Sequence, residues 1–110
     1  MEKNDLVYIG HKIDTARKAS DLARGRSRKE FDSDEALGLA LAHLLQVIGE
    51  AARRVSEDFR HRHPGVPWRA IVGMRHRIVH DYMAVDFDVV WDVVTNDLSV
   101  LIDELSRLMP

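Results

Sequence analysis

The chain has 110 residues, 45% of them hydrophobic and 31% charged, a composition that fits one soluble globular domain and excludes a disordered chain. It contains no cysteine, which excludes disulfides and thiolate chemistry and makes a reducing cytoplasm the expected location. A net charge of −2 gives no hint of a nucleic-acid partner. No apolar run approaches the ~20 residues that span a bilayer, and the start MEKNDLVYIGHK lacks the order of a secretory signal, so no membrane association is expected.

From Asn4 to about Arg24, the residues Leu6, Ile9, Ile13, Ala16, Ala19 and Ala23 recur at spacings of three and four, which predicts an amphipathic helix closed by Gly25. The stretch GRSRKEFDSD follows and reads as a charged, flexible connector. Asp32 with Glu35 three residues on resembles a capping box opening a second helix. Its stripe is Leu37, Leu41, Leu44, Ile48, Ala52, Val55 and Phe59, widened by Leu45 and Val47, and it should run to about Arg60. Pro64, Gly65 and Pro67 mark a turn, and Pro67 suits the first position of a third helix. That helix carries Trp68, Ile71, Val72, Ile78 and Val79 and should end near Tyr82. After a short turn at MAVD, a fourth helix runs from about Asp86 to Leu108. Asp86 and Asp88 sit at its positive end, and Val90, Val94, Leu98, Leu101, Leu105 and Leu108 form its seam. The β-branched Val89, Val90, Val93 and Val94 favour a strand locally, but their spacing continues into the leucine seam. The expected fold is all-α, a four-helix up-and-down bundle occupying residues 1–110 as a single domain.

Charge is distributed unevenly. From Phe59 to His80 there are five arginines, four histidines and no acid, and from Asp81 onward seven acids face the single base Arg107. The basic block ends in MRHRIVHDY, residues 74–82. A histidine titrating near neutrality can move protons, and an arginine can stabilise charge growing on a phosphate, so Arg75 and His80 suit phosphodiester cleavage. Five residues of regular helix, however, set them about 140° apart. They converge only if the helix end is distorted or a twofold partner supplies the complement, and a solvated basic helix end is the plainer reading. Tyr82 lies nearly two turns beyond Arg75 and could share its face, either as a core-edge tyrosine or as a modification site. His76 and His80 have the i, i+4 spacing of a metal pair, but the intervening Arg77 argues against a cation, and no metal or other cofactor is expected. The run RHRHP at 60–64 is either a phosphate-binding patch or a solvated helix end. Glu50 is either a buried partner for an arginine of the third helix or a surface charge. Trp68 and Trp91 read as core anchors.

The run Arg75-His76-Arg77-Ile78-Val79-His80 resembles the HEPN nuclease signature, in which an arginine and a polar residue precede a histidine by a few positions. His80-Asp81-Tyr82 resembles the HxY extension found in its HepT-like branch. The flanks VIGEAARRVS, VPWRAIVGMRHRIVHDY and VDFDVVWDVVTNDLSVLIDEL are similar to that family as well, so the likeness covers residues 35–106.

The resemblance implies a metal-independent endoribonuclease toxin of a type VII toxin–antitoxin pair. Its antitoxin would be an MNT-type nucleotidyltransferase, and two protomers would dimerise with their signatures facing, as a dimer alone or within a higher oligomer that includes the antitoxin. It further implies that His80 is the general acid or base, that Arg75 holds the scissile phosphate, and that His76 and Arg77 orient RNA. Tyr82 would be the tyrosine the antitoxin AMPylates. The alternative from another class is a non-catalytic helical scaffold for a nucleotidyltransferase. A four-helix substrate-binding subunit of a small-molecule transferase is a more remote one.

Overall fold

The computed structural model describes residues 2–81 and 84–109, without the side chains of residues 2, 3, 80 and 81. The described chain is mostly helical. Helix α1 (Glu2–Ala23) ends before Gly25, whose φ of 74° is the left-handed conformation a side chain would disfavour. Ile9, Ile13, Ala16 and Ala19 are buried along it as the spacing predicts, and so are Asp5 and Lys12.

The connector is not flexible. Ser27 opens a short helix α2 (Arg28–Ser33) with a capping box to Glu30, which displaces the box expected at Asp32 and Glu35. Phe31 is buried and packs against Phe87 and Trp91 at centroid distances of 6.2 and 5.0 Å. Arg28 bonds both Asp32 and Asp88, tying α2 to a later helix at residues 87–92. Charge density suggested a loop, and one buried aromatic residue overrides it.

Helix α3 (Glu35–Arg54) starts at Asp34, whose carboxylate accepts the Leu37 N–H at 3.0 Å. It buries Leu37, Leu41, Leu45, Ile48 and Ala52 and packs against α1, α2 and the later helical segments at 68–72, 74–78 and 87–92. By length and composition α3 could cross a membrane, so the expectation that no apolar run approaches that length is corrected. Val47 is exposed and does not widen the stripe. Nor does the helix run unbroken to Arg60. Val55 adopts extended dihedrals, and Ser56 caps a separate helix α4 (Glu57–Arg62) by accepting the Phe59 N–H at 3.2 Å. Asp5 fixes this break from across the bundle, accepting the Ser56 N–H and the Ser56 hydroxyl at 2.8 Å each. A buried carboxylate with two short bonds is satisfied; the same carboxylate facing an unbroken helix would not be.

The third predicted helix is also divided. Helix α5 (Trp68–Val72) and helix α6 (Met74–Ile78) meet at Gly73. The backbone then leaves the helical path, and β1 (Val79–Asp81) pairs antiparallel with β2 (Ala84–Val85). The Asp86 N–H closes this hairpin on the Ile78 carbonyl at 2.6 Å. The helix therefore ends at Ile78, four residues short of Tyr82, because the Ile78 carbonyl is taken by a residue eight positions on. The fourth segment is helical as expected, as α7 (Phe87–Asp92), a π-helical turn (Val93–Asp97) and α8 (Leu98–Ser106). Asp86 caps it by accepting the Val89 N–H. The π turn adds a residue to the period, so that Val93 and Val94 are both buried before the seam resumes at Leu98, Leu101 and Leu105.

Lys12 is the costly element of this core. It is 0% exposed, its ammonium lies 4.7 Å from the Trp68 ring centroid, and its Nζ has no hydrogen-bond partner. Burial, aided by the nearby Arg60 guanidinium, pushes its pKa down from 10.5 to about 7. An unfolded lysine keeps its proton up to about pH 10.4, so between pH 7 and that value folding expels a proton and stability rises with pH. Below pH 7 the penalty is fully present. Lys12→Met should stabilise the fold at pH 7 by roughly 2–4 kcal/mol, measured by urea denaturation. That gain should shrink as pH rises toward 10; a pH-independent gain would contradict the origin assigned to it.

Candidate active site

Arg75 and His76 occupy the first turn of the short helix α6, and the glycine before them sets their direction. The Gly73 N–H donates to the Arg69 carbonyl at 2.9 Å, ending α5, while the Gly73 carbonyl accepts the His76 N–H at 3.0 Å, starting α6. The hinge rests on α3 at a second glycine. A Cβ on Gly49 would stand 3.0 Å from the Ile71 carbonyl oxygen, so only glycine lets the end of α5 sit this close to α3.

The result is a cleft of about 370 Å³ between α3 and the α5–α6 hinge. Arg75 and His76 line it together with Arg69 of α5 and Gln46, Glu50 and Arg53 of α3. Arg75, His76 and Arg69 are all exposed, and no ion pair engages any of them among the described residues. Glu50, whose role the sequence left open, is an exposed surface charge bonded to Arg53 at 2.9 Å and close to Arg54 at 3.6 Å. The bond from Arg53 is the main reason its carboxyl is held below the usual carboxylate range. The acid is thus answered from its own helix, and Arg69 and Arg75 leave the cleft positive.

Arg77 is not part of this cleft. It lines a separate, largely apolar groove of about 230 Å³ with Met74, Val100, Leu101 and the acids Asp97 and Glu104. One turn of helix therefore sends His76 and Arg77 to different surfaces.

His80 lies in β1, beyond the helix. Val79 pairs with Val85 and Asp81 with Ala84, so two steps on one strand face one on the other, and His80 is the extra residue of a β-bulge. Such bulges bend a strand and re-aim the residues around them. The 140° separation expected between Arg75 and His80 assumed a regular helix, and that premise fails. The helix end is distorted, which is one of the two conditions under which the pair could converge. The helical i, i+4 relation of His76 to His80 lapses for the same reason. Tyr82 itself lies outside the described residues.

Both tryptophans are anchors. Trp68 is buried with its indole N–H donating to the His63 carbonyl at 2.9 Å, and Trp91 packs on Phe31. In the basic run at 60–64, His63 stacks on Phe59 at 4.4 Å and the Arg62 guanidinium lies 5.7 Å from the same ring, so part of that run is bound to the protein's own surface. Arg53 and Arg69 were missed as cleft residues. The interrupted basic pattern carried them, but nothing local brings residue 53 beside residue 75.

Comparison with known proteins adds a separate line of evidence. The family model described as "Ribonuclease HepT-like" matches residues 13–108. The chain is 28% identical to "Putative RNase TTE0752" of Caldanaerobacter subterraneus subsp. tengcongensis over 107 residues, covering 97% of this chain and 96% of that protein. It is 29% identical to "Putative RNase MJ1380" of Methanocaldococcus jannaschii over 99 residues, 89% and 91% of the two chains. It is 28% identical to "Probable ribonuclease HepT" of Thermococcus cleftensis over 108 residues, 98% of each. No solved structure matches.

The glycine seat gives a direct test. Gly49→Ala should destabilise the protein by about 1–3 kcal/mol, because the Ile71 carbonyl must move. Gly10→Ala, where the new Cβ meets only the end of Met109 at 3.8 Å, should be neutral or stabilise by up to about 1 kcal/mol. Urea midpoints of the two variants decide the matter; equal midpoints would show that the close approach carries no weight.

Proposed function

Since the chain belongs to the HepT-like ribonuclease family, we propose that it cleaves RNA at the cleft beside the α5–α6 hinge, on the four-helix plan expected of that family. The observation that carries this reading is Arg75, a solvent-facing cation with no acidic partner among the described residues, in a positive cleft and inside the stretch the family model matches.

In this reading His80 takes the proton from a ribose 2′-hydroxyl, and the freed oxygen attacks the adjacent phosphorus. Negative charge grows on the non-bridging oxygens, where the Arg75 guanidinium stabilises it. The bond to the 5′-oxygen then breaks, that oxygen receives a proton, and a 2′,3′-cyclic phosphate remains. The attacking group belongs to the substrate, so no metal-activated water is required. His76 orients the RNA within the cleft, and Arg77 contacts it from the neighbouring groove. The bulge at His80 supports this assignment, since it frees the histidine from the helical spacing that would hold it away from Arg75.

We assign the protein as the toxin of a pair whose antitoxin is an MNT-type nucleotidyltransferase in the same cytoplasm, acting as a homodimer. Two facing signatures would double the field of the acid-free block from Phe59 to His80. Modification of Tyr82 with AMP would place a phosphate two residues from His80 and repel the RNA backbone.

His80→Ala and Arg75→Ala should each lower the rate of RNA cleavage at least about 100-fold with unchanged circular dichroism, and cleavage by the unmodified chain should persist in EDTA. Full cleavage by His80→Ala would end the proposed mechanism. Co-expression with the nucleotidyltransferase should add one or more AMP units, mapped to Tyr82 by mass spectrometry, and an unmodified Tyr82 would remove the proposed switch.

A further inference from the structure

The cleft holds three side chains that this chemistry leaves unused, namely Arg53, Arg69 and Gln46. Arg69 faces solvent with no acid engaged, one helical segment away from Arg75. Arg53 shares Glu50 with Arg54, so Arg54 can hold that carboxylate when Arg53 turns to another anion. Gln46 is half-buried, and its Nε2 donates to the Ala42 carbonyl at 3.2 Å. Only the amide nitrogen can donate to a carbonyl, so the bond fixes the orientation of the amide and leaves Oε1 as a free acceptor. The cleft thus combines two cations beside the proposed scissile-phosphate ligand with one neutral acceptor of fixed direction, in a volume of about 370 Å³ that suits a single small ligand.

We propose that this cleft is a flanking-nucleotide subsite: Arg69 and Arg53 bind the phosphate next to the one that is cut, and Gln46 accepts a hydrogen bond from the base of that nucleotide. The proposal rests on the ribonuclease reading for its ligand. Arg53 and Arg69 contribute affinity common to all sequences, because a phosphate carries no sequence information. Gln46 contributes preference, because its acceptor favours bases presenting an amino or ring N–H group and leaves others unpaired. All three act on substrate binding, whereas Arg75 acts where charge develops.

The probe is a fluorescein-labelled 20-nucleotide random-sequence RNA carrying 2′-O-methyl groups throughout, which cannot be cut by attack of its own 2′-hydroxyl. Binding is followed by anisotropy across a salt series. Arg69→Ala and Arg53→Ala should each weaken binding about fivefold and reduce the slope of log affinity against log salt by about 0.7. Arg53→Lys should restore the slope, and Arg107→Ala should leave it unchanged. In cleavage of unmodified RNA, Arg69→Ala should raise KM several-fold with kcat nearly constant, and sequencing of the products should show a base preference beside the cut that Gln46→Ala abolishes. Unchanged affinity and slope in both arginine variants would overturn the phosphate contact, and a preference untouched by Gln46→Ala would overturn the base contact. If the unmodified chain binds the probe with these slopes but cuts no RNA, the ribonuclease reading fails while the binding site stands.

Discussion

The close approach of the Ile71 carbonyl to Gly49 organises this molecule. Helix α3 packs against α1, α2, α5, α6 and α7, and most helix surfaces keep a neighbour at side-chain distance. At Gly49 no side chain intervenes, so the end of α5 descends onto the α3 backbone. Gly73 closes α5, and α6 begins at the next residue. Arg69, Arg75 and His76 then stand across a cleft from Gln46, Glu50 and Arg53.

Two further irregularities flank the same region. The bulge at His80 and the π-helical turn at Val93–Asp97 each insert one residue into a regular repeat. Single insertions of this kind re-aim side chains without altering the hydrophobic pattern on either side, which is why they are concentrated near functional sites. Here the first lies within the hairpin closed by the Ile78–Asp86 hydrogen bond and the second follows it by one helix.

The polar interior is uneven in its energetics. Asp5 is fully bonded to Ser56 and fixes the break between α3 and α4. Lys12 is buried as deeply with no acceptor, near another cation. A buried cation of this kind is tolerated because it can lose its proton near neutral pH.

Much of this was legible in the sequence. Apolar spacing found α1, the α3 stripe and the final seam, since a period of 3.6 residues records directly which side of a helix is buried. The acid-free block held Arg69, Arg75 and His76 of the cleft but not Arg53, and the Arg75–His80 stretch carried the family. The apolar neighbours of the two tryptophans at helical spacing likewise identified them as core anchors. The breaks were not legible. Phe31 turned a charged connector into a helix by finding Phe87 and Trp91 across the fold. Gly49 broke α5 from α6 through a contact between residues 22 positions apart, and the hairpin removed His80 from the helix through a bond between Ile78 and Asp86. Local spacing encodes burial because neighbouring residues share one helix. Where a helix must stop is decided by groups remote in sequence, and their proximity exists only once the chain has folded.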